Sequence, residues 1–177
     1  MSELFDVIDK NGDVIGQATR EECHRNPGLI HRVVHCWLFN EKGQVLWQQR
    51  SMKKDAAPGE WDMSCGGHVA AGEEPEETLK RELKEELGLE NIDTKLVEKY
   101  LKTDDANTQT ELIFLYYAVV DRKESEFTIN KEETQSLMWI DVDEAQMKYA
   151  KGKVKSTEFI ISQVSKILQS LFKRNLS

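Results

Sequence analysis

Three glutamates, Glu82, Glu85 and Glu86, stand beside Arg81 in a run that reads as a helix. At about 100° per residue, Leu79, Leu83 and Leu87 form one apolar stripe and the three carboxylates gather on a neighbouring flank. Glu82 and Glu86 are i,i+4 to each other, a like-charge pairing that is mildly unfavourable without a cation nearby. The bland alternative is a Glu/Lys-rich surface helix with its charges in water. Against it stands the preceding segment, where Gly66-Gly67 is expected to break regular structure beside the helix start. Carboxylates and backbone carbonyls gathered this way suit Mg²⁺ or Mn²⁺ bound together with substrate phosphates.

The helix itself is well punctuated. Pro75 suits the first turn, where its missing N–H costs nothing, and Gly88 suits the left-handed position just past the end. The helix is therefore expected from about Glu74 to Leu87.

Gly67, Glu73 and the run Arg81-Glu82-Leu83-Lys84-Glu85-Glu86-Leu87-Gly88-Leu89 fit the pattern GX5EX7REUXEEXGU, with U aliphatic, at every fixed position. The segment 67–89 thus resembles the Nudix box. The resemblance implies an α/β fold, the Nudix α/β/α sandwich around a mixed sheet, and Mg²⁺- or Mn²⁺-dependent cleavage of a diphosphate linkage by water. It implies Glu82, Glu85 and Glu86 as metal ligands, with the Gly67 carbonyl added, and Arg81 with Glu73 as the pair that orients them. The general base is left open between Glu133, which precedes a late strand, and Glu85 or Glu86. Arg50, Lys53 and Lys54 end a strand and open a loop where they could hold phosphate, although plain solubility also accounts for the lysines.

Outside the box, the run from Trp37 to Leu46 and the spacing from Trp61 to His68 resemble the type I isopentenyl diphosphate isomerases, themselves Nudix relatives. His24, His31 and His68 fall where that branch keeps metal-binding histidines, and Glu111 on one of its metal-binding glutamates, whereas Gln109 replaces another. A second metal or substrate site is the implied possibility, with hydrogen-bonded structural histidines as the alternative. His35 matches nothing in that branch. The catalytic cysteine of the isomerases falls on Gly66, and Cys65 lies one residue early, which on a strand turns its side chain to the other face. The leading expectation is hydrolysis of a nucleoside diphosphate-linked or other organic diphosphate. An isomerase-like enzyme and a catalytically idle ligand-binding domain are the alternatives.

The elements that must position these residues follow from periodicity and turn residues. Leu4–Ile8 and Val14–Ala18 read as a hairpin within about 3–19, with Asn11-Gly12 favouring a type I′ turn. Residues 20–29, interrupted by Pro27-Gly28, read as a helical turn or loop. Strands are expected at 31–39, 44–50, 95–101, 111–120 and 137–142, with 111–120 central because it is nearly continuous in apolar and aromatic residues. Asp143 is expected to cap a following helix. A C-terminal amphipathic helix over about 156–174 carries Phe159, Ile160, Val164, Ile167, Leu168 and Leu171 at helical spacing.

The chain of 177 residues suits a single domain, 1–177, with a real core. A net charge of −8 disfavours nucleic-acid polymers and anionic membranes as partners, while a small-molecule diphosphate remains compatible through a local pocket with metal. Cys23, Cys36 and Cys65 are an odd set without a CxxC pair, which argues against a disulfide framework and points to a reducing compartment. Without a signal-like N-terminus or a spanning apolar run, a cytoplasmic location is expected, and oligomerisation is left open.

Overall fold

The computed structural model describes residues 2–54, 57–152 and 158–174. A hairpin of β1 (Leu4–Ile8) and β2 (Val14–Thr19) leads into α1 (Arg20–Cys23). The main sheet holds β3 (His31–Phe39), β4 (Val45–Arg50), β5 (Trp61–Asp62), β6 (Cys65–His68), β7 (Lys95–Thr103), β8 (Thr110–Val119) and β9 (Thr134–Ile140). Three further α-helices, α2 (Pro75–Leu87), α3 (Val142–Ala150) and α4 (Glu158–Arg174), and a 3₁₀ turn at Glu124–Glu126 complete the described elements. The strands run β5-β4-β3-β8-β7, with β6 joined to β3 and β9 to β4. Among the described strands only β3 and β8 pair in parallel, so the sheet is mixed, and β8 lies inside it as its apolar run requires.

Alternation along β3 divides the core in two. Val34, Cys36 and Leu38 face α2 with Leu79, Leu83 and Leu87, while Trp37 and Phe39 face α4 with Ile160, Val164 and Ile167. This is the expected α/β/α sandwich, one helical layer on each face of a mixed sheet.

The sheet forks. β3 pairs with β6 from Val33 to Cys36, but with β4 only at Phe39 and Val45. Ser64 joins the two branches, its Oγ accepting from the Leu38 N–H at 2.8 Å and donating to the Leu46 carbonyl at 2.6 Å. Backbone groups that lose their neighbour at the fork thereby stay paired.

Several local expectations need correction. The Gly66-Gly67 segment does not break regular structure, because it lies within β6 and pairs with Val34 and His35. The glycines are there for space: a Cβ on Gly67 would sit 2.2 Å from Glu82 Oε1, and one on Gly66 would sit 2.9 Å from the Val34 carbonyl. The hairpin turn is not type I′. Gly12 alone has positive φ (93°), and the Asp9 carboxylate accepts from the N–H groups of Asn11 and Asp13, which gives a longer loop. The helix after β9 begins one residue before Asp143, with Asp141 as its N-cap. The central helix starts and stops where Pro75 and Gly88 place it, with Gly88 at φ 67° and the Glu77 carboxylate accepting from the Glu74 N–H at 3.3 Å. For the C-terminal helix, residues 156 and 157 lie outside the described residues.

Candidate active site

The fork opens a cleft of about 640 Å³ between β6 and β4. Glu82, Glu85 and Glu86 reach it from α2, and Glu133 from the turn before β9. Arg81 organises the first group. Its guanidinium donates to both oxygens of Glu73 at 3.3 Å, to Glu82 at 2.7 Å and to Glu85 at 3.2 Å. Glu73 thus fixes Arg81, and Arg81 fixes two carboxylates of the cluster.

Glu86 is buried at 8% exposure. Burial above all, then the charge of Glu82, pushes its carboxyl up to about 8. Burial also raises Glu82, against the opposing charge of Arg81. In the orientation that satisfies both ends of its amide, Gln48 donates to Glu86 Oε2 at 3.3 Å and to the Ser64 carbonyl at 2.7 Å. Two carboxylates whose charged forms burial resists, Glu82 and Glu86, with exposed Glu85 beside them, are hard oxygen donors that fit Mg²⁺ or Mn²⁺. The Gly67 position, where Glu82 fills the space of a side chain, brings backbone to the same point.

The proposed phosphate holders do line the cleft, but each has an acidic partner. Lys54 Nζ is ion-paired with Glu133, and Arg50 Nη1 lies 3.2 Å from Asp62 Oδ2. Lys53 pairs with Glu132 at 2.5 Å. Motif reasoning missed Gln48, Asp62 and His35, all of which line this cleft. The alternation His31-Val33-His35 on a strand was the one signal that could have drawn His35 in.

A second cluster borders the same cleft. His24, His31, His68 and Glu111 each offer a ligand atom, and these atoms lie within 4.8 Å of one another. Four elements deliver them: the end of α1, β3, β6 and β8. The hairpin holds them in place through Phe5, whose ring stacks on His68 at 4.8 Å and on His31 at 5.2 Å. His24 Nε2 and His68 Nε2 face each other at 2.9 Å, and His31 Nε2 is buried without a hydrogen-bond partner. Burial lowers His31 to about 4, and lowers His24 and His68 as well, so the imidazoles are neutral and able to act as ligands. Burial also pushes Glu111 up to about 7. One orphaned ring nitrogen, His31 Nε2, and the facing pair from His24 and His68, converging on one carboxylate, fit a transition-metal ion.

Cys65 is not among the residues lining the cleft, but its thiol hydrogen-bonds the Glu86 carboxylate from behind. It is fully buried beside α2, and burial, then the charge of Glu86, raises its thiol well above the ordinary range. The cleft face of β6 at that level belongs to Gly66.

A family model, the NUDIX domain, matches residues 29–160. The chain belongs to the Nudix family. It is 30% identical over 149 residues to an uncharacterized Nudix hydrolase of Clostridium acetobutylicum, covering 80% of this chain and 71% of that one. It is also 41% identical over 86 residues to an isopentenyl-diphosphate Delta-isomerase of Streptomyces avermitilis, covering 49% of this chain and 44% of that protein. A crystal structure from Deinococcus radiodurans superposes with a TM-score of 0.77 over 93% of this chain and 98% of that chain, at 24% identity. The relatives named as hydrolases place this Nudix chain among the family's enzymes, and the isomerase likeness is confined to about half its length. None of the described helices is long and apolar enough to cross a membrane.

Proposed function

We propose that this Nudix protein is a divalent-metal-dependent hydrolase of a small organic diphosphate, nucleoside diphosphate-linked or otherwise, with water attacking phosphorus. The observation that carries the reading is the convergence of Glu82, Glu85, Glu86 and Glu133 on one cleft, with Glu86 held up to about 8 by burial. Mg²⁺ or Mn²⁺ bound there would neutralise phosphate oxygens and favour attack by water. Glu82, Glu85 and Glu86, with the Gly67 carbonyl, would hold it.

The chain's own groups divide the remaining work. Arg81 keeps Glu82 and Glu85 aimed inward, and Glu73 keeps Arg81 in place. Glu133 is the candidate base, since its ion pair with Lys54 holds its carboxylate at the cleft, and Glu85 and Glu86 remain the competing choices. Arg50 and Lys54 are placed to meet phosphate by exchanging carboxylate partners. We assign His24, His31, His68 and Glu111 as a second metal site, whose N/O donor set suits Mn²⁺ or Zn²⁺. Three buried free cysteines suit a reducing compartment, and a cytoplasmic location belongs to this proposal.

The histidine cluster also favours a second reading, an isomerase. Against it, Gly66 occupies the cleft position and Cys65 faces α2. Incubation with nucleotide sugars, nucleoside di- and triphosphates, dinucleotides and isopentenyl diphosphate, with products identified by mass spectrometry, separates the two. Phosphorus–oxygen cleavage of any member supports hydrolysis. Dimethylallyl diphosphate as sole product overturns it, and binding without turnover favours an idle domain.

A further inference from the structure

His35 is the cleft-lining histidine that neither ligand cluster uses. It stands opposite Gly66 on β6, and its ring is fastened from behind by α4. Gln163 Nε2 lies 2.7 Å from His35 Nδ1 and 2.9 Å from the Tyr100 hydroxyl, while Gln163 Oε1 lies 3.0 Å from Trp37 Nε1.

This network admits one arrangement of protons. An indole N–H can only donate, so the atom of Gln163 that faces Trp37 must be its oxygen. The amide nitrogen then faces His35 and can only donate, so His35 Nδ1 must be the acceptor. Gln163 is wholly buried at 0% exposure, which leaves no room for water to offer an alternative. His35 is therefore a neutral imidazole with its proton on Nε2, the ring nitrogen that Gln163 does not engage. Burial, which brings His35 down to about 4, keeps it neutral across the working range.

We propose that His35 is a specificity-determining residue, held by Gln163 as the Nε2–H tautomer so that it donates to an uncharged oxygen, a hydroxyl or carbonyl, on the organic part of the diphosphate substrate. The proposal rests on the hydrolase reading above. The nature of the acceptor follows from the surroundings. Asp62 is the charged group that acts on His35, and once its partner Arg50 turns to the substrate's phosphate, the Asp62 carboxylate left behind disfavours a second phosphate oxygen at this point. The diphosphate itself belongs at the carboxylate cluster with its metal. Gln163 is a positioning residue, acting only through His35.

The tautomer is read directly by ¹⁵N NMR of histidine-labelled protein without ligand. Between pH 6 and 8, His35 should show an unprotonated Nδ1 and a protonated Nε2, and Gln163→Leu should leave a mixture of tautomers. A wild-type Nδ1–H tautomer, or Gln163→Leu with an unchanged pattern, overturns the proposal whatever the activity. The contact is read kinetically on the organic diphosphate from the panel that turns over fastest. His35→Asn keeps a partner for Gln163 but withdraws the cleft donor, and should raise KM about tenfold with kcat within about twofold, the scale of one lost hydrogen bond. His35→Gln, whose amide nitrogen reaches the place of Nε2, should restore KM. Wild-type KM in His35→Asn refutes the contact, whereas absence of turnover across the whole panel refutes the hydrolase reading and leaves the NMR result to decide the tautomer.

Discussion

Replacing Glu86 with Gln should abolish metal-dependent turnover and at the same time stabilise the metal-free protein. Burial lifts the Glu86 carboxyl to about 8 in the fold from an ordinary 4.5. A raised acid binds its proton more tightly in the folded state, so folding takes up a proton between about pH 4.5 and 8. The metal-free protein therefore loses stability from this group as pH rises through that window. At pH 7 the difference of about 2.5 pH units above the unfolded value corresponds to about 3 kcal/mol, at 1.36 kcal/mol per unit. Relaxation and water entry reduce such figures for buried groups. Taking about half of that figure, with about 2–4 °C per kcal/mol for a chain of this size, Glu86→Gln is expected to raise the metal-free Tm at pH 7 by about 3–6 °C, and by more at pH 8. The gain should shrink as pH falls toward 4.5, where the unfolded carboxyl takes up its proton as well. Thermal melts of both proteins in EDTA from pH 5 to 8, paired with turnover at saturating Mg²⁺, provide the assay. A variant melting at or below wild type at pH 8, or one that keeps full turnover, would refute the reasoning.

Three further outcomes follow from the geometry. Gly67→Ala would place a Cβ 2.2 Å from Glu82 Oε1, so the carboxylate must move by about 1 Å. Turnover should fall about 10²-fold with the fold retained by circular dichroism, and unchanged kinetics would detach Glu82 from the chemistry. Cys65→Ala should keep activity within about tenfold, or roughly 1.4 kcal/mol of barrier, because the buried thiol faces α2. A loss of several orders of magnitude in folded protein would reopen the isomerase reading. His31→Ala should remove one bound Mn²⁺ or Zn²⁺ per chain by elemental analysis, and undiminished metal content would show that the histidines are structural.

The sequence revealed most where a residue acts through local geometry. Pro75, Gly88 and the leucine stripe define α2 without reference to the rest of the chain, and the carboxylates gather because 82, 85 and 86 share a helix flank. The one-residue register argument placed Cys65 away from the cleft for the same reason. What stayed hidden depends on tertiary pairing. Gly66-Gly67 reads as a break because glycine weakens strands, yet the pair sits within β6, where the nearness of Glu82 and Val34 excludes side chains. The fork at Ser64, the acidic partners of Arg50 and Lys54, and the link from Gln163 to His35 across 128 residues leave no mark in periodicity. The Asn11-Gly12 turn was misread because the Asp9 carboxylate competes for the backbone N–H groups of the loop.

The central claim is that water attacks phosphorus in a metal-dependent reaction at the carboxylate cluster. Turnover of the best panel substrate in H₂¹⁸O with Mg²⁺ tests it, by mass spectrometry of both products. The account predicts one ¹⁸O per turnover in a phosphorylated product, none in the released organic alcohol where one forms, and no product from Glu86→Gln. A product of unchanged mass without label, or label on carbon rather than phosphorus, would contradict it.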